Sequence, residues 1–474
     1  MRTHEAGALH AVAGSRAPTW LREPADVNAL VPHLWAHNVE RGPDGSVTVA
    51  GIAATAIAER FGTPAYVVDE DDFRSRAGEF RTEFDAAFAG LCGGADVYYA
   101  GKAFLSRATV RWVAEEGLHL DVCTWGELAV AQRAGFPAAR IGMHGNNKSE
   151  AELSRALDAG VGRIVVDSAQ EIERLARLAA DRGVRARVMV RLTVGVEAHT
   201  HEYIATAHED QKFGFSLAGG AAAGAARAIF AEPSLELTGL HSHIGSQIFD
   251  TAAFEVAARR TLGLHAEIAH EDGIALPELD LGGGFGMAYT TQDDPLPPAA
   301  LAAGMAEIVG QECRARGITV PRMSVEPGRA IAGPSTFTLY EVGTVKQVEL
   351  DAGETRTYVA VDGGMSDNIR AALYDADYSC TLANRRSPAD AVLARVVGKH
   401  CESGDIVVKD EFLPGDVRPG DLIAVPGTGA YARSLANTYN HVPRPPVVAV
   451  RDGRARIVVR RETEDDLLRL DVDE

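Results

Sequence analysis

Lys102 closes the apolar and aromatic run Val97-Tyr98-Tyr99-Ala100-Gly101. Such a run suits a short strand packed on both faces. Gly101 lets the chain turn, and Ser106 is suited to cap the helix that follows. A lysine at the carboxyl end of a barrel strand sits where such barrels keep their chemistry. Held in a dry pocket its pKa falls, and the free amine can form a Schiff base. A strand-end lysine is more often a solvated charge, so other groups have to supply the reason for this reading.

Further polar residues follow other apolar runs: Asp121-Val122-Cys123-Thr124, His144-Gly145-Asn146-Asn147, His241-Ser242-His243 through Gln247, Gly282-Gly283-Gly284-Phe285-Gly286, and Glu326-Pro327-Gly328-Arg329. The glycines let bare backbone amides approach a phosphate, and Arg329 could add a charge-assisted contact. A plain flexible turn explains the glycines equally well when they are taken alone. Glu326 could keep a pyridine nitrogen protonated and make the ring an electron sink, although a surface ion pair is the commoner use of such a carboxylate. His241 and His243 form the H-x-H with which some metal-dependent hydrolases begin a metal site. Only His144 offers a third histidine at a convincing strand end, so no metal is expected. His243 stacked over an aromatic cofactor, with Ser246 reaching its phosphate, fits better. Lysine, glycine cradle, histidine and glutamate together describe pyridoxal 5′-phosphate held through Lys102.

These groups need a scaffold that brings strand ends together. Strands are predicted at 95–100, 118–122, 140–144, 163–166, 186–192, 236–241, 278–281 and 323–326. Helix-like stretches lie between them at 106–116, 126–134, 149–159, 169–182, 252–271 and 301–316. About eight β/α units in about 250 residues is the extent of a (β/α)8 barrel, with a doubly wound open sheet as the competitor. Beyond Gly333-Pro334, β-branched runs broken by Gly, Pro and Asp predict a second, mostly antiparallel β domain. The expected divisions are a lead-in over 1–60 that partly joins the β domain, a barrel over 61–334 and the β domain over 335–474. Within the lead-in, 47–49 reads as an edge strand and 52–61 as a helix; 65–68 reads as a strand.

The formal charge of −19 argues against broad binding to nucleic acid or an anionic membrane surface. No apolar run approaches the about 20 residues of a membrane span, and the opening residues lead into no signal-like apolar core. Cys92, Cys123, Cys313, Cys380 and Cys401 form no C-x-x-C pair, so a reduced, cytoplasmic protein is expected.

With these residues assembled, the chain resembles the diaminopimelate decarboxylase family from about Phe61 to Leu470. The motifs that carry the resemblance are YYAGKAF, LDVCTWGEL, HSHIGSQ, LGGGFG, EPGR, DGGMSDNIRAALY, GKHCESGD and GTGAYARSLANTYN. The resemblance implies the barrel-plus-β-domain class shared with alanine racemase and eukaryotic ornithine decarboxylase. It implies decarboxylation of meso-2,6-diaminopimelate to L-lysine, with Lys102 carrying the cofactor, Glu326 at the pyridine nitrogen, His243 on the ring and Asp121 supporting that region. It assigns Ser246, Gly283, Gly284 and Gly286 to the phosphate, with Gly328, Arg329 and Tyr431 also at the cofactor. Arg329, Arg370, Tyr374 and Tyr431 would face the substrate, and Glu402 would meet its distal ammonium. Cys401 would return the proton, on a loop that enters the other subunit's site in a head-to-tail homodimer. Residues 194–216, with Glu197, His199, His201, His208, Asp210 and Lys212, resemble the family's substrate-facing loop and read as a lid or wall rather than a metal cluster. The alternatives are a decarboxylase of arginine or ornithine, a racemase, and a binding protein of the same fold without a cofactor. Arg370 and Tyr374 argue against the first, because a cationic substrate tip gains nothing from an arginine.

Overall fold

The computed structural model describes residues 17–195, 212–349 and 355–472. The described residues divide into two compact units, one drawn from 74–286 and 295–330, the other from 17–73, 287–294 and 331–472. Among the described residues no helix is long and apolar enough to cross a membrane.

The second unit begins with β1 (Val39–Arg41), β2 (Val47–Val49) and β3 (Ile52–Ala53), which form an antiparallel sheet with β2 in the middle. The expectation of an edge strand at 47–49 is therefore corrected. Val47 and Val49 point the same way and are fully buried, and pairing on both sides satisfies the backbone that this burial removes from water. The Val47 amide also donates to the Ala383 carbonyl, 2.7 Å away. The helix expected over 52–61 spans Ala54–Phe61. After it, β4 (Ala65–Asp69) lies inside the stretch drawn as barrel but belongs to the large sheet of this unit.

The barrel unit contains β5 (Ala95–Ala100), β6 (His119–Val122), β7 (Ile141–Met143), β8 (Arg163–Val166), β9 (Ala186–Thr193), β10 (Phe215–Ser216), β11 (Leu235–Ser242), β12 (Glu278–Asp280) and β13 (Arg322–Val325). All are paired in parallel. Pairing of β13 with β5 and of β8 with β9 closes eight of them into a ring, and β10 pairs alongside the end of β9. Strand burial on both faces follows from this closure, because the helices cover the outside. Ser106 and Ser149 each open a helix with a capping box, which removes two orphan amides at each start. Two long helices among the described residues of this part of the chain go beyond those expected, Glu70–Cys92 and Ala221–Ala231. Phe80 and Phe84 of the first pack on Phe285 at ring-centroid distances of 5.4 and 5.8 Å, and Phe254 stacks on it at 5.1 Å.

The remaining strands are β14 (Thr336–Glu349), β15 (Thr355–Val361), β16 (Thr381–Leu382), β17 (Ala391–Val397), β18 (Ile406–Pro414), β19 (Leu422–Pro426), β20 (Val447–Arg451) and β21 (Arg454–Val459). The sheet runs β18-β17-β15-β14-β4-β20-β21, with β19 also on β14. Most pairings are antiparallel, while β15–β17 and β20–β4 are parallel. The barrel and the separate, mostly antiparallel sheet are the fold class expected from sequence.

Candidate active site

The sequence-selected groups of the barrel unit gather at the carboxyl ends of β11, β12, β13, β5 and β6, which are consecutive around the ring. Lys102 stands two residues beyond β5 and is exposed. Its turn is tight: the Gly101 amide donates to the Asp121 carbonyl at 3.0 Å, and the Ala103 amide to the Ala100 carbonyl at 3.0 Å. Arg329 donates through Nη2 to the Ser246 hydroxyl at 2.7 Å, joining the loops after β13 and β11. His243 is half-buried beside the glycine run, where the Gly283 amide donates to its Nδ1 at 3.3 Å. Burial, and then the charge of Lys102, hold this imidazole well below its usual pKa, so it is neutral.

The glycine run is a close-packed turn. A Cβ on Gly283 would lie 2.2 Å from the Glu326 carbonyl oxygen, and one on Gly284, whose φ is +106°, would lie 2.6 Å from the Gly245 carbonyl oxygen. The Ile248 amide donates to the Gly284 carbonyl and the Gly286 amide to the Ile248 carbonyl, both at 2.9 Å. Phe285, between Gly284 and Gly286, is the buried anchor held by Phe80, Phe84 and Phe254.

Glu326 follows β13 and is buried in a cluster that the sequence reading did not assemble. His241 donates through Nε2 to Glu326 Oε1 at 3.0 Å. His144 Nε2 lies 3.3 Å from the same oxygen and 3.1 Å from Asp121 Oδ1. Burial alone would raise the Glu326 pKa, but His144, His241 and the hydrogen bond from His241 outweigh it and hold the carboxyl well below its usual range. Burial, and then Glu326, push Asp121 well above that range. The charge therefore sits on Glu326 and the proton on Asp121. His144, His241 and Glu326 place three ligand-type atoms within 4.8 Å of one another. Hydrogen bonding between imidazole and carboxylate accounts for this closeness without a metal.

One layer deeper, Arg163 forms an ion pair with Asp280 and donates to Ser324 Oγ at 3.0 Å, with its guanidinium 3.7 Å from the Tyr98 ring centroid. Asp280 and Ser324 stand two residues before Gly282 and Glu326. Ser324 and Glu326 are two apart along one chain direction, so part of this layer was within reach of the sequence.

The other sequence-selected groups lie in the β unit. Arg370 is buried, donates to the Tyr378 hydroxyl at 2.7 Å and lies 4.7 Å from the Tyr289 ring centroid. Tyr374 is 58% exposed on the same short helix, Arg370–Tyr374, and Tyr431 is half-buried with a φ of +62°. Cys401 is exposed and Glu402 half-buried on a separate loop. Of the predicted 194–216 loop, residues 196–211, which include Glu197, His199, His201, His208 and Asp210, lie outside the described residues.

Residues 71–333 match the family described as pyridoxal-dependent decarboxylase, pyridoxal binding domain. The diaminopimelate decarboxylase of Mycobacterium tuberculosis is 57% identical over 447 residues, covering 94% of this chain and 98% of that one. The chain belongs to the diaminopimelate decarboxylase family. Its Bacillus subtilis relative is 45% identical over 440 residues, covering 93% and 98% of the two chains. The solved structure of diaminopimelate decarboxylase from M. jannaschii in co-complex with L-lysine matches with a TM-score of 0.86 and 28% identity, covering 93% and 98%. As a family member the chain is a carboxy-lyase of the pyridoxal-dependent kind. Its barrel residues fit such a cofactor: the glycine cradle admits no side chain, Asp121 Oδ2 is buried with no protein partner, and Glu326 is ionised at the next strand end.

Proposed function

We propose that the protein decarboxylates meso-2,6-diaminopimelate to L-lysine and carbon dioxide, using pyridoxal 5′-phosphate bound through Lys102. The observation that carries this reading is Glu326, a buried carboxylate kept ionised by two imidazoles beside a glycine cradle, in a chain of this family. When bound, the cofactor supplies an electron sink for the pair left behind by departing carbon dioxide.

The chain's own residues do the rest. Glu326 would hold a proton at the ring nitrogen of the bound cofactor, and neutral His243 is assigned to its ring. Ser246, Gly283, Gly284, Gly286, Gly328 and Arg329, with Tyr431, are assigned to the cofactor and its phosphate. Arg370 and Tyr374, with Arg329 and Tyr431, are assigned to the distal carboxylate, which this enzyme must retain while expelling the other. Glu402 is assigned to the distal ammonium and Cys401 to the proton returned to carbon. We further infer a homodimer with shared sites, in which the Cys401 loop serves the other subunit, and a cytoplasmic location.

The test is carbon dioxide release from meso-diaminopimelate, lysine, ornithine and arginine, with the visible spectrum recorded on the same sample. Release from meso-diaminopimelate alone, with a cofactor band, is expected. Release from ornithine or arginine at a comparable rate, or none from any of them, overturns the assignment.

A further inference from the structure

Cys401 is exposed, yet the residue before it is buried and held at every polar atom of its ring. His400 Nε2 meets the Ser366 hydroxyl at 2.8 Å and Nδ1 meets Asn440 Oδ1 at 3.0 Å, with the Tyr439 ring 5.5 Å away. The His400 amide donates to Asp405 Oδ2 at 2.7 Å, and Asp405 Oδ1 accepts from the Met365 amide at 2.6 Å. The Lys399 amide donates to the Gly363 carbonyl at 3.0 Å, and the Asn437 amide to the Ser366 carbonyl at 2.9 Å. Three loops, over 363–368, 398–405 and 437–441, thus close around one imidazole and one carboxylate. They close tightly: a Cβ on Gly364 would lie 2.4 Å from Asp405 Oδ1, and one on Gly398 would lie 2.2 Å from Asp405 Oδ2.

A buried imidazole with both nitrogens satisfied has one orientation, and so fixes the backbone that carries it. The thiol one residue on inherits that fixed origin, although its own side chain faces solvent. The loop over 363–368 leads straight into the helix Arg370–Tyr374, so the same clasp ties the thiol's loop to the start of that helix. An apolar residue at 400 would fill the space without directing it.

We propose that His400 is a positioning residue for Cys401, holding the thiol through hydrogen bonds to Ser366 and Asn440. This rests on the reading of Cys401 as proton donor. In that step the carbon losing carbon dioxide takes the thiol's hydrogen as a proton, leaving a thiolate that solvent reprotonates. The donor's position then decides which face of the carbon receives the proton.

The test uses holoenzyme turning over meso-diaminopimelate in D2O. For His400→Ala, kcat falls about 10- to 100-fold, the loss that a displacement of about 1 Å can bring, while KM stays within about twofold. Deuterium at the product carbon, confined to one stereochemical position in the wild type, becomes scrambled. Wild-type kcat in His400→Ala overturns the proposal. So does a lower kcat with deuterium still at one position, since simple loss of folded enzyme changes amount and not stereochemistry. Should His400→Ala fail to fold, Ser366→Ala removes only the 2.8 Å bond and is read by the same two criteria. Cys401→Ala is run beside them. Near-normal turnover there removes the donor reading and the proposal with it, whereas a crippled Cys401→Ala beside a normal His400→Ala removes the clasp alone.

Discussion

Glu326 keeps its charge in a place where burial works against it, because two imidazoles and a protonated neighbour surround it. In the proposed function, holding a proton at the ring nitrogen would require that charge, while cofactor binding would draw on Lys102 and the glycine run as well. Glu326→Gln keeps the shape and removes the charge. It is expected to retain the visible band of bound cofactor and to lose about 10²-fold or more in kcat. Steady-state carbon dioxide release with a parallel spectrum measures both, and a kcat within threefold of wild type would remove Glu326 from this role. Lys102→Ala should do the opposite and abolish the band; an unchanged spectrum would place the cofactor elsewhere. Sequence supplied Glu326 through its strand-end position, but not the reason for its charge. His241 was visible only as half of an H-x-H, and nothing in its spacing says that its partner is a carboxylate 85 residues away.

At the scale of elements, the loop after β12 depends on an aromatic residue as much as on its glycines. Phe285 is buried among Phe80, Phe84 and Phe254, so the turn is tethered to two helices while its backbone remains bare. Phe285→Ala removes this tether and costs about 3–5 kcal/mol by the usual penalty for a large aromatic cavity. The expected outcome is a thermal midpoint lowered by several degrees and cofactor affinity weakened about tenfold or more, measured by spectral titration. Phe285→Leu should recover most of both, and wild-type cofactor affinity in Phe285→Ala would show that the glycines hold their shape unaided. Much of this architecture was readable from the chain. The eight barrel strands fall within a few residues of their predicted bounds because apolar runs ending in polar residues mark β/α units clearly. The helix Glu70–Cys92 was less apparent: its apolar positions Phe73, Ala77, Phe80, Phe84 and Phe88 recur at helical spacing but are diluted by eight charged or polar neighbours in between. The placement of β4 beside β14 and β20 could not be read, since a short apolar strand carries no record of its partners.

For the molecule as a whole, the loop that precedes Arg370 is fastened to the β unit through a carboxyl group whose proton affinity should appear in overall stability. Asp367 receives the Tyr340 hydroxyl on Oδ1 and the Gly364 amide on Oδ2, while its backbone carbonyl receives the Tyr66 hydroxyl at 2.5 Å. Both bonds to the carboxyl favour the charged form, but burial outweighs them and raises its pKa from 3.8 to about 7. The folded protein therefore binds a proton that the unfolded chain has already released between about pH 4 and pH 7. The stability linked to that proton is fully present below the unfolded pKa, declines as pH rises through this window, and is gone above the folded pKa. Its size is of order a few kcal/mol at most, since each unit of separation is worth about 1.4 kcal/mol. Asp367→Asn cannot titrate, so whatever it changes in the hydrogen bonds to Tyr340 and Gly364, it carries no pH dependence of its own from this group. The difference in thermal midpoint between wild type and Asp367→Asn should thus shift steadily against the wild type from about pH 4 to pH 7 and level off beyond. Parallel melting curves across that range measure it. A difference that stays constant with pH would mean that Tyr340 and Gly364 keep Asp367 ionised, so that the loop before Arg370 is held by a charge rather than by a proton.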